Sequence, residues 1–445
     1  MSEPNRLERF RGCLLGLAVG DALGAPLIGM KAGHVRQVYG EISGYVDAAL
    51  AWKGRPHKWA LSGLYTNNTQ RALVIADILA REGKCDSRAL ADVFVEMADA
   101  RVERSVLGCH RRVSRNFRLA LEQMRSPATD PLDCGGPSPG CGAAARVAPF
   151  ALFYADKPDL LARAVIETSV VTHRDSRAVV AALVVACAVA QMISSSAGGR
   201  HLRPADEARL LVERARRGEM ALLESYSRHV IGGQTDNLSY LDLLPRLLEE
   251  ADDTLAWDSI AREANRCAPE RPVHDPSEGF APAALTAALY LALGGRSFVE
   301  AVAAAVGLGR DAHDLGAIVG AIVGARDGVE AIPAAWLTEL RNADQVRLRA
   351  DNLARGDIDY STWCGVVQLE SEATVTEERE RGRLAERWER EGTLVKKRKK
   401  QRTGRKREEE AGFAPPPEVW LRRKADRKGK RLEARDKRRE KGRRE

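Results

Sequence analysis

Aromatic residues are scarce in this sequence, and its cysteines form no pattern. Phe, Trp and Tyr make up 5% of the 445 residues, and the eight cysteines include no Cys-x-x-Cys pair. Scattered cysteines in a chain of this length are typical of reduced thiols in an intracellular protein and argue against a cysteine-bound metal. No stretch alternates polar and apolar residues as a β-strand does, so the abundant Ala, Leu, Val and Gly predict an all-α protein.

We expect neither a signal peptide nor a membrane span in this sequence. Its first residues, Met1–Arg6, are polar, with no apolar core of the kind that a leader needs. The apolar run that follows is about 15 residues long and is interrupted by Asp21, so it is too short to cross a bilayer. We therefore expect an intracellular, cytoplasmic protein without membrane contact.

Basic charge is concentrated at one end of the chain. Residues 371–445 hold 28 Lys and Arg against 16 Asp and Glu, whereas the preceding residues hold 42 against 46. The pI of about 9.1 therefore belongs to the C-terminal part. We predict a helical domain over residues 1–345, a connector over 346–370, and a charged tail over 371–445 that is part helical, with an exposed helix over 373–391, and part disordered.

Two apolar segments carry glycines at intervals of one helical turn. They fall at 12, 16, 20 and 24 in the first segment and at 316, 320 and 324 in the second. Each glycine inside a helix costs about 0.5–1 kcal/mol relative to Ala, so seven of them need a compensating gain. We predict that the two helices approach each other closely in the core, backbone against backbone.

The second glycine-striped helix is preceded by a cluster of ionisable residues. Asp311 and Asp314 are three residues apart, with His313 between them, and Gly309 and Arg310 precede them. At a helix start the two carboxylates share a face and are favoured by the helix dipole. The bland interpretation is helix capping, and the sharper one is a catalytic or metal site.

Several motifs agree in order and spacing with one family. They are Gly12–Pro26, Thr66-Asn67-Asn68-Thr69-Gln70, Gly140–Pro149 with Thr172-His173, Gly309–Ile318, and Ile332–Leu337. Over about residues 7–345 the chain resembles the ADP-ribosylglycohydrolases, related to the hydrolase that reactivates dinitrogenase reductase. The resemblance implies an all-α helical bundle with a charged C-terminal extension.

In that family two Mg²⁺ ions lie at the centre of the bundle, held by the T-D-D and D-x-D-T motifs. Those motifs match six positions here: Thr66, Asn67, Asn68, Asp311, His313 and Asp314. Paired aspartates are thus replaced by Asn67 and Asn68, and the second aspartate of the later motif by His313. Ile28 stands where the family has a glutamate, and Arg310 where it has a glycine, which we expect to add positive charge to the site.

The resemblance also implies a ligand-binding pocket. By position it would be lined by Asp21, Gly140, Cys141, Gly142, His173 and Gly309. Glycine-rich loops before helix starts can hold phosphates. From the residues alone, a histidine before a helix is more often a structural cap.

We expect the two-magnesium site not to form, because three carboxylates are lost and only Asp314 is gained. The leading interpretation is a catalytically inert member that binds ADP-ribose, a related nucleotide or an ADP-ribosylated macromolecule. The alternative is an active hydrolase with a single Mn²⁺ or Mg²⁺ and altered ligands, for which Asp311, His313 and Asp314 are the catalytic candidates.

The basic run in the tail allows a further function. It comprises Lys396, Lys397, Arg398, Lys399 and Lys400. Such a run is either a solvated face or an arm that binds RNA, DNA or an acidic partner without sequence preference.

Truncation at about residue 370 tests the tail. If the tail is a nucleic-acid arm, removing it should abolish salt-sensitive retention on heparin and on RNA, because the counterion-releasing charges are lost. Elution salt concentration measures this. Equal retention of the truncated chain would rule the arm out.

Overall fold

The computed structural model describes residues 4–103, 105–194, 202–231, 238–267 and 272–395. Over these ranges the chain is all-α, as predicted, with no β-strand. The helices are α1 Arg6–Gly24, α2 Ala32–Tyr39, α3 Ala48–Trp52, α4 Asn67–Glu82, α5 Ser87–Asp99, α6 Arg115–Met124, α7 Ala148–Tyr154, α8 Pro158–Val170, α9 Ser176–Ser194, α10 Pro204–Ser225, α11 Leu244–Glu250, α12 Asp253–Cys267, α13 Ala281–Leu293, α14 Phe298–Gly307, α15 Ala312–Asp327, α16 Ala334–Glu339, α17 Ala343–Arg355 and α18 Val366–Arg390.

The two glycine-striped helices, α1 and α15, pack against each other along their lengths. A Cβ atom built on Gly12, Gly16 or Gly20 would overlap the backbone carbonyl of Gly324, Gly320 or Gly316, in that order. The helices are therefore antiparallel, and their backbones touch where side chains would otherwise stand. The predicted close approach is confirmed, and we call this contact the glycine seam.

Apolar helices surround the glycine seam. Every residue of α13 is buried, and so is nearly all of α9. The segments Arg6–Leu27 and Ser176–Ser194 are long and apolar enough to cross a membrane, but 94% and 83% of their most apolar windows are buried inside the protein. Such burial is typical of core helices.

The compact unit extends further than the predicted domain. It runs from Met1 to Leu394 rather than ending near residue 345, and the expected connector contains most of α17 and the start of α18. Residues Lys396, Lys397, Arg398, Lys399 and Lys400, the predicted basic arm, lie outside the described residues. A truncation that spares the compact unit therefore belongs after Leu394, not at residue 370.

The expectation that residues 373–391 form an exposed helix is wrong in one respect. Helix α18 is present, but within that range Thr374, Glu377 and Trp388 are 2%, 3% and 1% exposed, and Glu370, earlier in the same helix, is 0% exposed. The carboxylate of Glu370 accepts from Tyr65 at 2.7 Å and from Gln70 at 2.9 Å. Buried acidic residues on a charged helix escape a hydropathy analysis, because their partners lie far away in the sequence.

Glu370 and Glu377 pair with two consecutive arginines. Glu370 Oε2 lies 2.7 Å from Arg111 Nη2, and Glu377 Oε1 lies 3.2 Å from Arg112 Nη2 and 3.0 Å from Arg381 Nη2. Burial by itself would raise the pKa of Glu377, but Arg112, Arg381 and Arg111 outweigh it and hold the pKa below its ordinary value. Helix α18 is thus fastened by buried ion pairs.

Gly20→Ala tests the glycine seam. The added Cβ would overlap the Gly316 carbonyl, so we expect a loss of more than about 3 kcal/mol in the free energy of unfolding, beyond ordinary overpacking. Gly33→Ala in α2 is the matched control, because a Cβ there meets nothing within 4 Å; it should be neutral or stabilising by up to about 1 kcal/mol. Equal effects in chemical denaturation would contradict the seam.

Glu377→Gln tests the fastening of α18. Removing one partner of a buried pair should cost about 3–5 kcal/mol at pH 7. Because the folded pKa of Glu377 is depressed, its contribution is complete above the unfolded pKa of about 4.3 and is lost as pH falls through the folded value. The stability gap between wild type and variant should therefore narrow in acid.

The exposed Glu372→Gln on the same helix is the control. It should change the free energy of unfolding by less than about 0.5 kcal/mol. A gap between wild type and Glu377→Gln that stays constant from pH 7 to acid would show that the Glu377 charge does not stabilise the fold.

Candidate active site

Asp21, near the end of α1, anchors the first turn of α4. Its fully buried carboxylate accepts from the backbone N–H and hydroxyl of Thr66 at 3.0 and 2.7 Å, and from the same groups of Thr69 at 3.0 and 2.7 Å. Burial raises the pKa of Asp21, while His313 and the two hydroxyls lower it. The structure gives this predicted ligand-binding residue a positioning role, because it fixes where α4 begins.

The residues at the start of α4 point in different directions. Thr66 is the N-cap, and its hydroxyl oxygen accepts from the Asn68 backbone N–H at 3.3 Å. The side-chain amide of Asn67 donates to the Arg112 carbonyl at 3.0 Å, whereas that of Asn68 donates to Asp314 Oδ1 at 2.8 Å. Only Asn68 therefore reaches the cluster at the start of α15.

His313 and Asp314 complete that contact. His313 Nε2 lies 3.3 Å from Asp314 Oδ1, and Asp314 is 8% exposed. The Asp314 carboxylate therefore lies between an imidazole and the amide of Asn68. The side-chain oxygen Oδ1 of Asn68 and the ring nitrogen Nδ1 of His313 are buried and have no hydrogen-bond partner in the described chain.

Asp311 is placed by a loop that the sequence analysis did not assign to the site. Its backbone N–H donates to the Ser277 carbonyl at 3.2 Å, and its carboxylate lies where a Cβ of Gly279 would stand. A Cβ at Gly140 would in turn lie 4.0 Å from the Gly279 carbonyl. Residues 277–279 thus lie between Asp311 and the glycine-rich loop at Gly140.

Arg310 does not add the expected positive charge to the site. Its guanidinium donates twice to Asp275 Oδ2, at 2.9 and 2.8 Å, and lies 3.3 Å from Glu278 Oε1. The backbone of Arg310 is in the left-handed region, with φ 56°, and so is that of Gly309, with φ 69°. A Cβ on Gly309 would overlap the Met30 carbonyl. The prediction failed because Asp275 and Glu278 lie some 35 residues away in the sequence.

Gly142 and His173 are in direct contact. A Cβ on Gly142 would lie 3.3 Å from Cε1 and 3.4 Å from Nε2 of the His173 ring. His173 Nδ1 lies 2.8 Å from the Thr172 hydroxyl. Cys141, which precedes Gly142 in the chain, is also buried. Burial, reinforced by two neighbouring arginines, lowers the pKa of His173 well below its ordinary value, so the ring is neutral.

Those two arginines, Arg71 and Arg146, were missed by the sequence analysis. They are 2% and 1% exposed. Arg71 follows directly on the Thr66–Gln70 motif, and Arg146 lies within the motif that begins at Gly140. A basic residue at the start of an otherwise apolar helix was the available signal for Arg71.

A pair of Mg²⁺ ions does not fit these side chains. Mg²⁺ requires oxygen ligands in octahedral geometry with carboxylates to offset its charge. Asp21 already accepts four hydrogen bonds, and Asp314 accepts the Asn68 amide. Four added charges near two buried guanidiniums would lack compensation. Across the ranges that the structure describes, no three His, Cys, Asp or Glu side chains are grouped as metal ligands.

The family model for ADP-ribosylglycohydrolase matches residues 2–361. The chain belongs to the ADP-ribosylglycohydrolase family. The match ends before α18, which begins at Val366. Helix α18 therefore lies beyond the part of this family member that the family model covers.

Individual relatives agree with this assignment. ADP-ribosyl-[dinitrogen reductase] glycohydrolase of Rhodospirillum rubrum is 24% identical over 76% of this chain and 92% of its own. ADP-ribosylarginine hydrolase Tri1 of Pseudomonas putida is 25% identical over 78% of each chain. A solved ADP-ribosylglycohydrolase-related protein complex is 26% identical, covering 80% of this chain and 99% of its own with a TM-score of 0.53.

Proposed function

We propose that this family member binds ADP-ribose or a related nucleotide without metal and does not hydrolyse it. The observation that carries the proposal is the hydrogen bond from the Asn68 amide to Asp314 at 2.8 Å. The amide N–H donates a hydrogen bond to the carboxylate, whereas a second carboxylate at this position would need a cation between the two. These side chains can therefore pack together without a metal ion and can offer hydrogen bonds to a ligand directly.

Two unpartnered polar atoms in this surface suit ligand hydroxyls. Asn68 Oδ1 and His313 Nδ1 are buried without a partner among the described residues. A buried polar atom left unsatisfied costs about 1–3 kcal/mol, and a hydroxyl, which can both donate and accept, would recover it. A ribose offers neighbouring hydroxyls, so the direct contact replaces the metal-mediated contact that the family uses.

The glycine-rich loop would supply a further part of the proposed pocket. Gly142 lies against His173, and Gly140 approaches the loop that holds Asp311. Small residues allow a nucleotide to contact backbone N–H groups closely. The neutral His173 ring is available as a hydrogen-bonding group rather than as a charge.

The same side chains explain why turnover would be lost. Hydrolysis at an anomeric carbon needs a water activated by a base or a metal. Asp314 is held by Asn68 and His313, and Ile28 stands where the family has a glutamate. Asp311 is the remaining carboxylate candidate, so it carries the alternative of an altered, active hydrolase.

Calorimetric titration of ADP-ribose into the full chain tests the proposal. We expect the same Kd in EDTA, Mg²⁺ and Mn²⁺, because the ligand contacts do not pass through a metal. His313→Ala should weaken binding by about 5- to 30-fold, since one buried hydrogen bond is lost. The exposed His34→Ala is the matched control and should bind as wild type does.

Two results would contradict the proposal. Binding that requires Mg²⁺ or Mn²⁺ would favour the altered hydrolase, and release of ADP-ribose from a modified protein, abolished by Asp311→Ala, would establish it. If ADP-ribose binds under none of these conditions, the proposal that this protein is an ADP-ribose-binding protein is wrong.

A further inference from the structure

Arg71 and Arg146 come together against one aromatic ring. The guanidinium carbon of Arg71 lies 5.8 Å from the centre of the Phe94 ring, and that of Arg146 lies 5.7 Å from the same centre. Arg71 also stacks on Phe117 at 3.8 Å. Both side chains are 98–99% buried. Two guanidiniums thus lie against one buried aromatic ring.

Their N–H donors lack acceptors. Nε and Nη2 of Arg71 and Nη1 of Arg146 are buried with no hydrogen-bond partner among the described residues. Arg146 donates one hydrogen bond through Nη2, to the Thr168 carbonyl at 2.9 Å. Three buried donors of these two neighbouring guanidiniums are therefore left without an oxygen to receive them.

Two other buried arginines of this chain are paired with carboxylates. Arg111 lies 2.7 Å from Glu370, and Arg349 lies 2.8 Å from Asp77. Neither Arg71 nor Arg146 has an ion pair in the described part of the chain. The fold therefore supplies a counterion for Arg111 and for Arg349, whereas Arg71 and Arg146 have none among the described residues.

The carboxylates nearest to the two arginines are already engaged. Asp21 and Asp314 influence the charge of Arg71, but the first accepts four hydrogen bonds from α4 and the second accepts from Asn68. Burial, together with the mutual repulsion of the two guanidiniums, disfavours the charged form of Arg71. A buried charge without a partner is costly, so the missing group is an anion with several acceptor oxygens.

We propose that Arg71 and Arg146 form a buried site for one oxyanion, either inorganic phosphate or a phosphate group of a nucleotide. Guanidinium N–H groups in fork geometry match the oxygens of phosphate, and the aromatic ring excludes water from the contact. The site rests on the two arginines alone and does not require that ADP-ribose binds.

The test uses the full chain dialysed free of phosphate and sulfate. Calorimetry with sodium phosphate at constant ionic strength should give saturable binding of one anion per chain, and phosphate should raise the melting temperature. Arg71→Met keeps the stem on Phe117 and removes the donors, so it should lower phosphate affinity by at least about tenfold. Without phosphate it should melt no lower than wild type, since it removes an uncompensated buried charge.

Arg216→Met is the matched control, because it removes one positive charge from the surface, where Arg216 pairs with Asp242. It should bind phosphate as wild type does. Equal losses in the two variants would mean nonspecific attraction and would overturn the site. So would an absence of saturable phosphate binding in wild type, which is decisive even if Arg71→Met does not fold.

Competition distinguishes the two sources of the anion. If ADP and phosphate exclude each other, the arginines hold a nucleotide phosphate; if both bind at once, they hold free phosphate. Phosphate binding without ADP-ribose binding would leave this site intact and remove the proposed function. If ADP-ribose binds, is unaffected by Arg71→Met and by phosphate, and phosphate itself does not bind, the proposed function stands and the anion site is ruled out.

Discussion

The contact of α1 and α15 backbones along the glycine seam is the constraint on which the site depends. Gly24, at the end of α1, lies so close to the start of α15 that a Cβ there would come within 2.5 Å of the His313 backbone nitrogen. Asp21 and Asp314, on opposite sides of this contact, are therefore positioned by backbone packing rather than by flexible side chains. Changes of side-chain chemistry at the site leave this frame unaltered.

Within that frame the polar residues form an internally consistent set. The amide at position 68 supplies a hydrogen-bond donor to the carboxylate at position 314, and Asp21 is satisfied by the α4 N-terminus. Arg310, which stands where the family has a glycine, is matched by Asp275 and Glu278 on the neighbouring loop. Substitutions that look disruptive one by one are compensated in pairs.

The sequence predicted the parts of the structure that depend on local spacing. The helices and the seam between Gly12–Gly24 and Gly316–Gly324 follow from glycine and apolar periodicity, and the site motifs were located by the resemblance to the family. It did not predict which way Asn67 turns, where Arg310 points, or that Glu370 is buried. Each of these depends on a partner between 35 and about 300 residues away, which no local pattern encodes.

Helix α18 changes what counts as the folding unit. It follows the end of the family match at residue 361, yet its carboxylates neutralise Arg111 and Arg112, and the Arg112 carbonyl receives the amide of Asn67. A domain cut at the family boundary would expose two orphaned cations and the surface that covers Trp388. In this chain the end of the family match is therefore not the end of the folding unit, because α18 supplies the counterions of two arginines inside the matched part.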